Sequence, residues 1–201
     1  MQVYKIYPLG FAANSYLVTA DQKNAVCIDP AQPRILDEAK KRGLTISHVL
    51  LTHGHFDHIG GVALLQKAGA KVGCLAGEER IALHDNLADF FGEEEVEPFK
   101  IDFTVRDGEE LTLAGIKIKV IAAAGHTAGG ACYLIENSLF TGDTLFEGSV
   151  GRSDLPTGSG AELTKSVKRL YALDGDYTVY AGHGEDTTLD YERKYNGVIR
   201  A

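Results

Sequence analysis

Val49-Leu50-Leu51-Thr52-His53-Gly54-His55-Phe56-Asp57-His58-Ile59-Gly60-Gly61 is the stretch that decides how this chain is read. An apolar run, Val49 to Leu51, leads into three histidines and one aspartate that fall within six residues. A strand that feeds a turn delivers its side chains to one edge of a sheet. His53 and His55 stand two apart, so extended backbone projects them to the same side. Asp57 and His58 then fall at the entry to a helix. The run can furnish two adjacent metal sites, one from His53 and His55, the other from Asp57 and His58. Asp57 alone would also serve as an ordinary helix N-cap, and a single loop histidine is usually a surface residue. But the chain has only seven histidines and three of them stand here, so the cluster as a whole reads as metal-binding.

Four ligands in one loop leave coordination positions open, and three later residues can fill them. His126 lies in Ala124-Gly125-His126-Thr127-Ala128-Gly129-Gly130, after an expected strand at Ile116–Ala122. Asp143 lies in Phe140-Thr141-Gly142-Asp143-Thr144, after a strand ending at Thr141. His183 lies in Tyr180-Ala181-Gly182-His183-Gly184, after a strand at Tyr177–Ala181. Each follows a glycine, which permits tight turns and close approach. His48 and His84 read as structural or exposed. Arg152, in the segment that follows Asp143, is the candidate for holding a substrate carboxylate, because its planar fork pairs with carboxylates. An ion pair with Asp154 is the competing reading. Asp29 is expected to organise the ligand loops through hydrogen bonds.

Around these residues the pattern alternates. Strands are expected at Gln2–Tyr7, Ser15–Thr19, Ala25–Asp29, Ser47–Leu51 and Lys71–Leu75, with helices at Pro33–Arg42, from Ile59 to near Gly69, and at Gly77–Asp85. The acidic stretch Gly92–Pro98 reads as a solvated loop. Strands then follow at Phe103–Val105, Glu110–Leu113, Ile116–Ala122, Ala131–Glu136 and Ser138–Thr141. Helices are expected at Ala161–Ala172, opened by the capping-box residues Ser159 and Glu162, and at Thr188–Tyr195. Two sheets packed face to face with helices outside, an α/β (α+β) sandwich of four layers, would bury this pattern.

With 201 residues, the chain suits a single domain over 1–201. Its formal charge of −8 and the lack of any basic run longer than Lys40-Lys41-Arg42 disfavour binding to nucleic acid or anionic membrane. No apolar stretch approaches the length of a membrane span. The three cysteines, Cys27, Cys74 and Cys132, are odd in number and widely spaced. They read as buried thiols in a reducing cytoplasm. The oligomeric state is not readable.

The ordered set of motifs resembles the metallo-β-lactamase superfamily, and most closely its glyoxalase II-like (hydroxyacylglutathione hydrolase-like) branch. The strand leading to Asp29, the run Thr52–Gly61, Gly125–Gly130, Phe140–Phe146, Gly151–Pro156 and Gly182–Asn196 carry the likeness. The resemblance implies an αββα sandwich with a metal site at one edge. It gives His53, His55 and His126 to a first metal, Asp57, His58 and His183 to a second, and has Asp143 bridge the two. Asp57 and Asp143 are thereby the catalytic carboxylates. Full-length glyoxalase II enzymes add a C-terminal helical region that contacts glutathione. This sequence stops soon after His183, so the thiol carrier is left open.

Nitrogen and oxygen ligands suit two divalent ions, zinc first, with iron or manganese also admitted. Two cations on the order of 3.5–4 Å apart can hold a hydroxide for attack on a carbonyl. No Ser or Cys nucleophile is paired with a base, and no further histidine stands ready as a general acid. A thiolate leaves with little need of protonation, its parent thiol having a pKa of about 8.5. A small-molecule thioester, with S-lactoylglutathione as reference, is therefore the expected substrate. The alternatives are a mononuclear iron persulfide dioxygenase using His53, His126 and Asp143, a lactonase or β-lactamase-like hydrolase, and a non-enzymatic metal-binding module.

Overall fold

The computed structural model describes residues 1–201. Its first sheet has the order β1 (Gln2–Ile6), β2 (Ser15–Thr19), β3 (Asn24–Ile28), β4 (Thr45–Leu50), β5 (Lys71–Leu75) and β6 (Phe103–Val105). The strands β1 to β3 pair antiparallel, and β3 to β6 pair parallel. The crossovers between parallel strands carry α1 (Ile35–Lys41), α2 (Phe56–Ile59), α3 (Val62–Lys67), α4 (Glu79–Leu83) and α5 (Ala88–Phe91). In the second sheet, β7 (Glu110–Leu113), β8 (Ile116–Ala122), β9 (Ala131–Ile135) and β10 (Ser138–Gly142) form an antiparallel meander. A small hairpin, β11 (Leu145–Phe146) with β12 (Ser149–Val150), and helix α6 (Gly160–Tyr171) then lead to β13 (Thr178–Ala181). β13 lies parallel to β10, β14 (Thr187–Thr188) closes that edge, and α7 (Leu189–Tyr195) follows.

Three apolar clusters show why the layers stack. Tyr16, Val18, Ile28 and Leu50 of the first sheet meet Ile118, Val120, Tyr133 and Phe140 of the second in one buried core. The outer face of the first sheet packs Cys27, Val49 and Val72 against Ile35, Val62 and Leu65 of its helices. The outer face of the second packs Ile121, Cys132 and Val179 against Leu163, Val167 and Leu170 of α6 and Leu189 of α7. Both sheets are therefore apolar on two faces, which gives the expected αββα order. All three cysteines are buried and free. No helix is long and apolar enough to cross a membrane.

The structure departs from the sequence pattern in short elements. The helix expected from Ile59 begins at Phe56 and is broken at Gly60-Gly61. There the backbone presses on the turn after β3, with Gly61 N–H donating to Pro30 O at 2.7 Å. The capping box is half formed. The Ser159 hydroxyl accepts from Glu162 N–H, while Ser159 N–H is taken by Gly125 O and the Glu162 carboxylate pairs with Lys165. Helix α5 and the strands β11, β12 and β14 were not anticipated. They are two to four residues long, below the length at which a hydrophobic period can be counted.

Candidate metal centre

Five strand ends converge at one rim of the sandwich, where the carboxyl ends of β3, β4, β8, β10 and β13 deliver Asp29, the His53–His58 run, His126, Asp143 and His183. The seven candidate ligands come together in three overlapping groups: His53, His55 and His126; His53, His58 and Asp143; and Asp57, His58 and His183. Within each group the ligand atoms lie within 4.8 Å of one another. His55 Nδ1 faces His126 Nε2 at 2.9 Å. His183 Nε2 lies 3.1 Å from Asp57 Oδ2. Asp143 stands between the outer groups, with Oδ1 3.2 Å from His58 Nε2 and Oδ2 3.6 Å from both His126 Nε2 and His183 Nε2.

Backbone and neighbouring side chains choose which imidazole nitrogen faces inward. Asp29 Oδ2 accepts from His58 Nδ1–H at 2.9 Å, so His58 Nε2 points to Asp143. Arg152 O accepts from His126 Nδ1–H at 2.7 Å, which frees His126 Nε2. Thr52 donates its hydroxyl to Asp29 Oδ2 at 2.6 Å and accepts from His53 Nδ1–H at 3.2 Å, leaving His53 Nε2 inward. Ligating histidines are held this way when their outer nitrogen is anchored. Asp29 thus organises the ligand loops through hydrogen bonds, also accepting Thr52 N–H at 2.7 Å. Gly182 is needed for close approach, because a Cβ there would lie inside contact distance of Asp143 Oδ1 and 2.7 Å from His58 Cε1.

The cluster fits a metal. Three buried polar atoms, His53 Nε2, His58 Nε2 and Asp143 Oδ1, have no hydrogen-bond partner, although buried polar atoms are ordinarily paired. Burial and the surrounding imidazoles push His53 well below the usual histidine range, and burial with His126 takes His55 down to about 3. Burial works against a charge on His58 as well, but Asp143, Asp57 and Asp29 together raise it well above that range. Asp143 stays below the ordinary carboxylate range despite its burial, because His58 and two more imidazoles face it. His53 and His55 are thereby held neutral beside the ionised Asp143, the state that a divalent cation binds, whereas His58 would give up its proton to one.

The candidate ligands open on a cavity of about 450 Å³, walled by Phe11, Phe56, Phe91 and Leu155 and edged by Glu93 and Arg152. Arg152 reaches this cavity with its guanidinium paired to Asp154, Nε on Oδ1 at 2.7 Å and Nη2 on Oδ2 at 2.8 Å. A groove of about 660 Å³ lies alongside, between the α4–α5 segment and Glu95–Phe99, and holds none of the ligands. His48 is half-buried on β4, and His84 caps the end of α4; neither joins the cluster. Sequence reasoning missed Glu78, a buried carboxylate behind the candidate ligands. Its Oε1 accepts Gly54 N–H at 2.8 Å, and its Oε2 accepts Gly129 N–H at 3.0 Å and the Thr127 hydroxyl at 3.1 Å. It missed the aromatic walls too.

Residues 9–183 match the family model described as the metallo-beta-lactamase superfamily. The chain belongs to the metallo-β-lactamase superfamily. Members of this superfamily are mostly metal-dependent hydrolases, and they bind divalent metals. Among curated relatives, the hydroxyacylglutathione hydrolase GloC of Haemophilus influenzae is 33% identical and aligns over 100% of this chain and 99% of its own. Among solved structures, the BLEG-1 B3 metallo-β-lactamase superposes with a TM-score of 0.91 at 30% identity, covering 100% of both chains. TTHA1623, solved in a di-iron-bound form, gives a TM-score of 0.84 at 33% identity over 96% of this chain and 98% of its own. Superfamily membership and the two-sheet architecture thus agree with the sequence reading.

Proposed function

We propose that this superfamily member is a two-metal thioester hydrolase. The observation that carries the reading is the convergence of seven ligand side chains around three orphaned buried atoms. His53 Nε2, His55 Nδ1 and His126 Nε2 would hold the first metal, and Asp57, His58 and His183 the second. The two oxygens of Asp143 face both groups, which suits a bridging carboxylate. Imidazole and carboxylate donors suit zinc, with iron and manganese as the other candidates. Bound divalent metal supplies acidified water and a Lewis acid for the scissile carbonyl.

The chain's own residues do the rest. Asp57 faces the cavity with its carboxylate held below the ordinary range, chiefly by His58 against its own burial. From its place on the cavity wall it would accept a hydrogen bond from an entering water. Phe11, Phe56, Phe91 and Leu155 give the cavity an apolar wall that would take an uncharged acyl group. No histidine outside the ligand set and no tyrosine lines the cavity to protonate a leaving group. That favours a leaving thiolate over an amine. GloC, similar across the whole chain, is named a hydroxyacylglutathione hydrolase. Arg152 is the side chain we assign to a substrate carboxylate, by exchange from Asp154. Buried free cysteines favour a cytoplasmic setting.

Lactam hydrolysis is the second reading, favoured by the full-length likeness to BLEG-1. Thiol release from S-lactoylglutathione and from a neutral acyl thioester, run beside hydrolysis of a chromogenic β-lactam, separates the two. Thioester turnover well above lactam turnover is expected. Lactam cleavage without thiol release would overturn the first reading.

A further inference from the structure

The ligand loops leave their strands as turns, and backbone alone does not hold two such loops in one arrangement. Glu78 lies between two of them. It is fully buried at the junction of β5 and α4, and no cation pairs with it. Its three partners are the hydrogen-bond donors Gly54 N–H, Gly129 N–H and Thr127 Oγ1–H. Gly54 stands between His53 and His55, and Thr127 follows His126. One carboxylate oxygen therefore grips the loop with two ligands of the first group, and the other grips the loop with the third. A Cβ on Gly129 would lie 2.7 Å from Glu78 Oε2, and a Cβ on Gly54 2.8 Å from the Ala82 side chain, so both glycines let α4 close on the loops. Burial pushes the Glu78 carboxyl up to about 7 even against these three donors. A buried carboxylate without a cation is costly, and its position is explained by what it ties together. The second group is anchored differently, through Asp29 on His58.

Resting on the two-metal reading above, we propose that Glu78 is a positioning residue that aligns His53, His55 and His126 and thereby sets metal affinity at the first site and not the second. Glu78→Gln tests it well. Whichever way the amide turns, its NH2 meets a backbone N–H of one ligand loop, donor against donor. The substitution is made in two backgrounds, His183→Ala, which leaves the first site, and His55→Ala, which leaves the second. Zinc alone is titrated into metal-free protein against a competing chelator. In the His183→Ala background, Glu78→Gln should weaken zinc binding by about 10–100-fold, the cost typical of losing an outer anchor of a ligand. In the His55→Ala background the change should stay below about threefold, as for a substitution that touches none of Asp57, His58 and His183. Equal losses in both backgrounds mark a general structural role and overturn the proposal, as does no loss in the first. Thr127→Val removes one donor while keeping the shape, and should weaken zinc in the same selective way. It carries the test if Glu78→Gln does not fold, and unchanged affinity in Thr127→Val then counts against the proposal. An unsubstituted chain that binds no zinc overturns the two-metal reading and this one together. Two zinc ions in the unsubstituted chain with no site-selective loss overturn this one alone.

Discussion

His58 shows how single atoms decide the site. Its Nδ1–H is spent on Asp29, so Nε2 is the nitrogen left for the cluster. Replacing Asp29 with Ala removes that anchor and the two Thr52 contacts together. We expect a loss of about 10–100-fold in metal affinity, read by chelator competition; unchanged affinity would deny Asp29 its orienting role. Asp143→Ala should abolish turnover and weaken at least one metal, because its oxygens face both groups. Full activity with both metals retained would refute a bridge. Arg152→Ala should leave thermal stability nearly unchanged, since an exposed ion pair contributes little. It should raise KM for anionic substrates more than for neutral ones, and an equal rise for both would leave Arg152 with its Asp154 pair alone. At this scale the sequence was readable where chemistry dictates residue type. A metal needs several His and Asp donors in a small volume, and those stand out. Glu78 did not, because its partners are two backbone N–H groups and a hydroxyl, and Gly77-Glu78-Glu79 looks like any solvated helix start.

Among the elements, the strands act as rails and the glycines at their ends as the points of contact. β13 ends where Gly182 N–H donates to Gly142 O at 2.8 Å, with Asp143 and His58 directly beyond. Gly182→Ala places a methyl group against both. We expect a stability loss of about 1–3 kcal/mol, as for other overpacked sites, measured by denaturant unfolding of the metal-free chain; a change inside experimental error would mean that the strand end yields freely. Long elements were legible because their apolar faces repeat, as in α6, whose Leu163, Val167 and Leu170 lie buried. The hairpin of β11 and β12 was not, because distant residues hold it. Glu192 Oε2 accepts Gly148 N–H at 3.0 Å, and Asn196 Nδ2 donates to Ser149 O at 3.0 Å, both from the region of α7. Nothing local to Leu145–Val150 announces that support.

For the whole molecule, the decisive fact is that the two sheets share the site. Asp57, His53, His55 and His58 come from the first half, and His126, Asp143 and His183 from the second. Metal bound between them should stabilise the sandwich as a unit. Zinc at 100 times its Kd should add about 2.7 kcal/mol to stability over the chelated protein, read as a rise in Tm. An unchanged Tm would mean that the loops do not form a site in the folded chain. The layered fold was legible because both sheets are apolar on two faces. The cavity was not, because Phe11, Phe56, Phe91 and Leu155 come from four separate segments and meet only after folding. The central claim, two metals serving one hydrolytic centre, is tested most directly by reloading metal-free protein with counted equivalents of zinc and following thioester cleavage. The account predicts that activity climbs until two zinc ions are bound per chain. Saturation at a single iron, with oxygen uptake on a persulfide and no thioester cleavage, would contradict it.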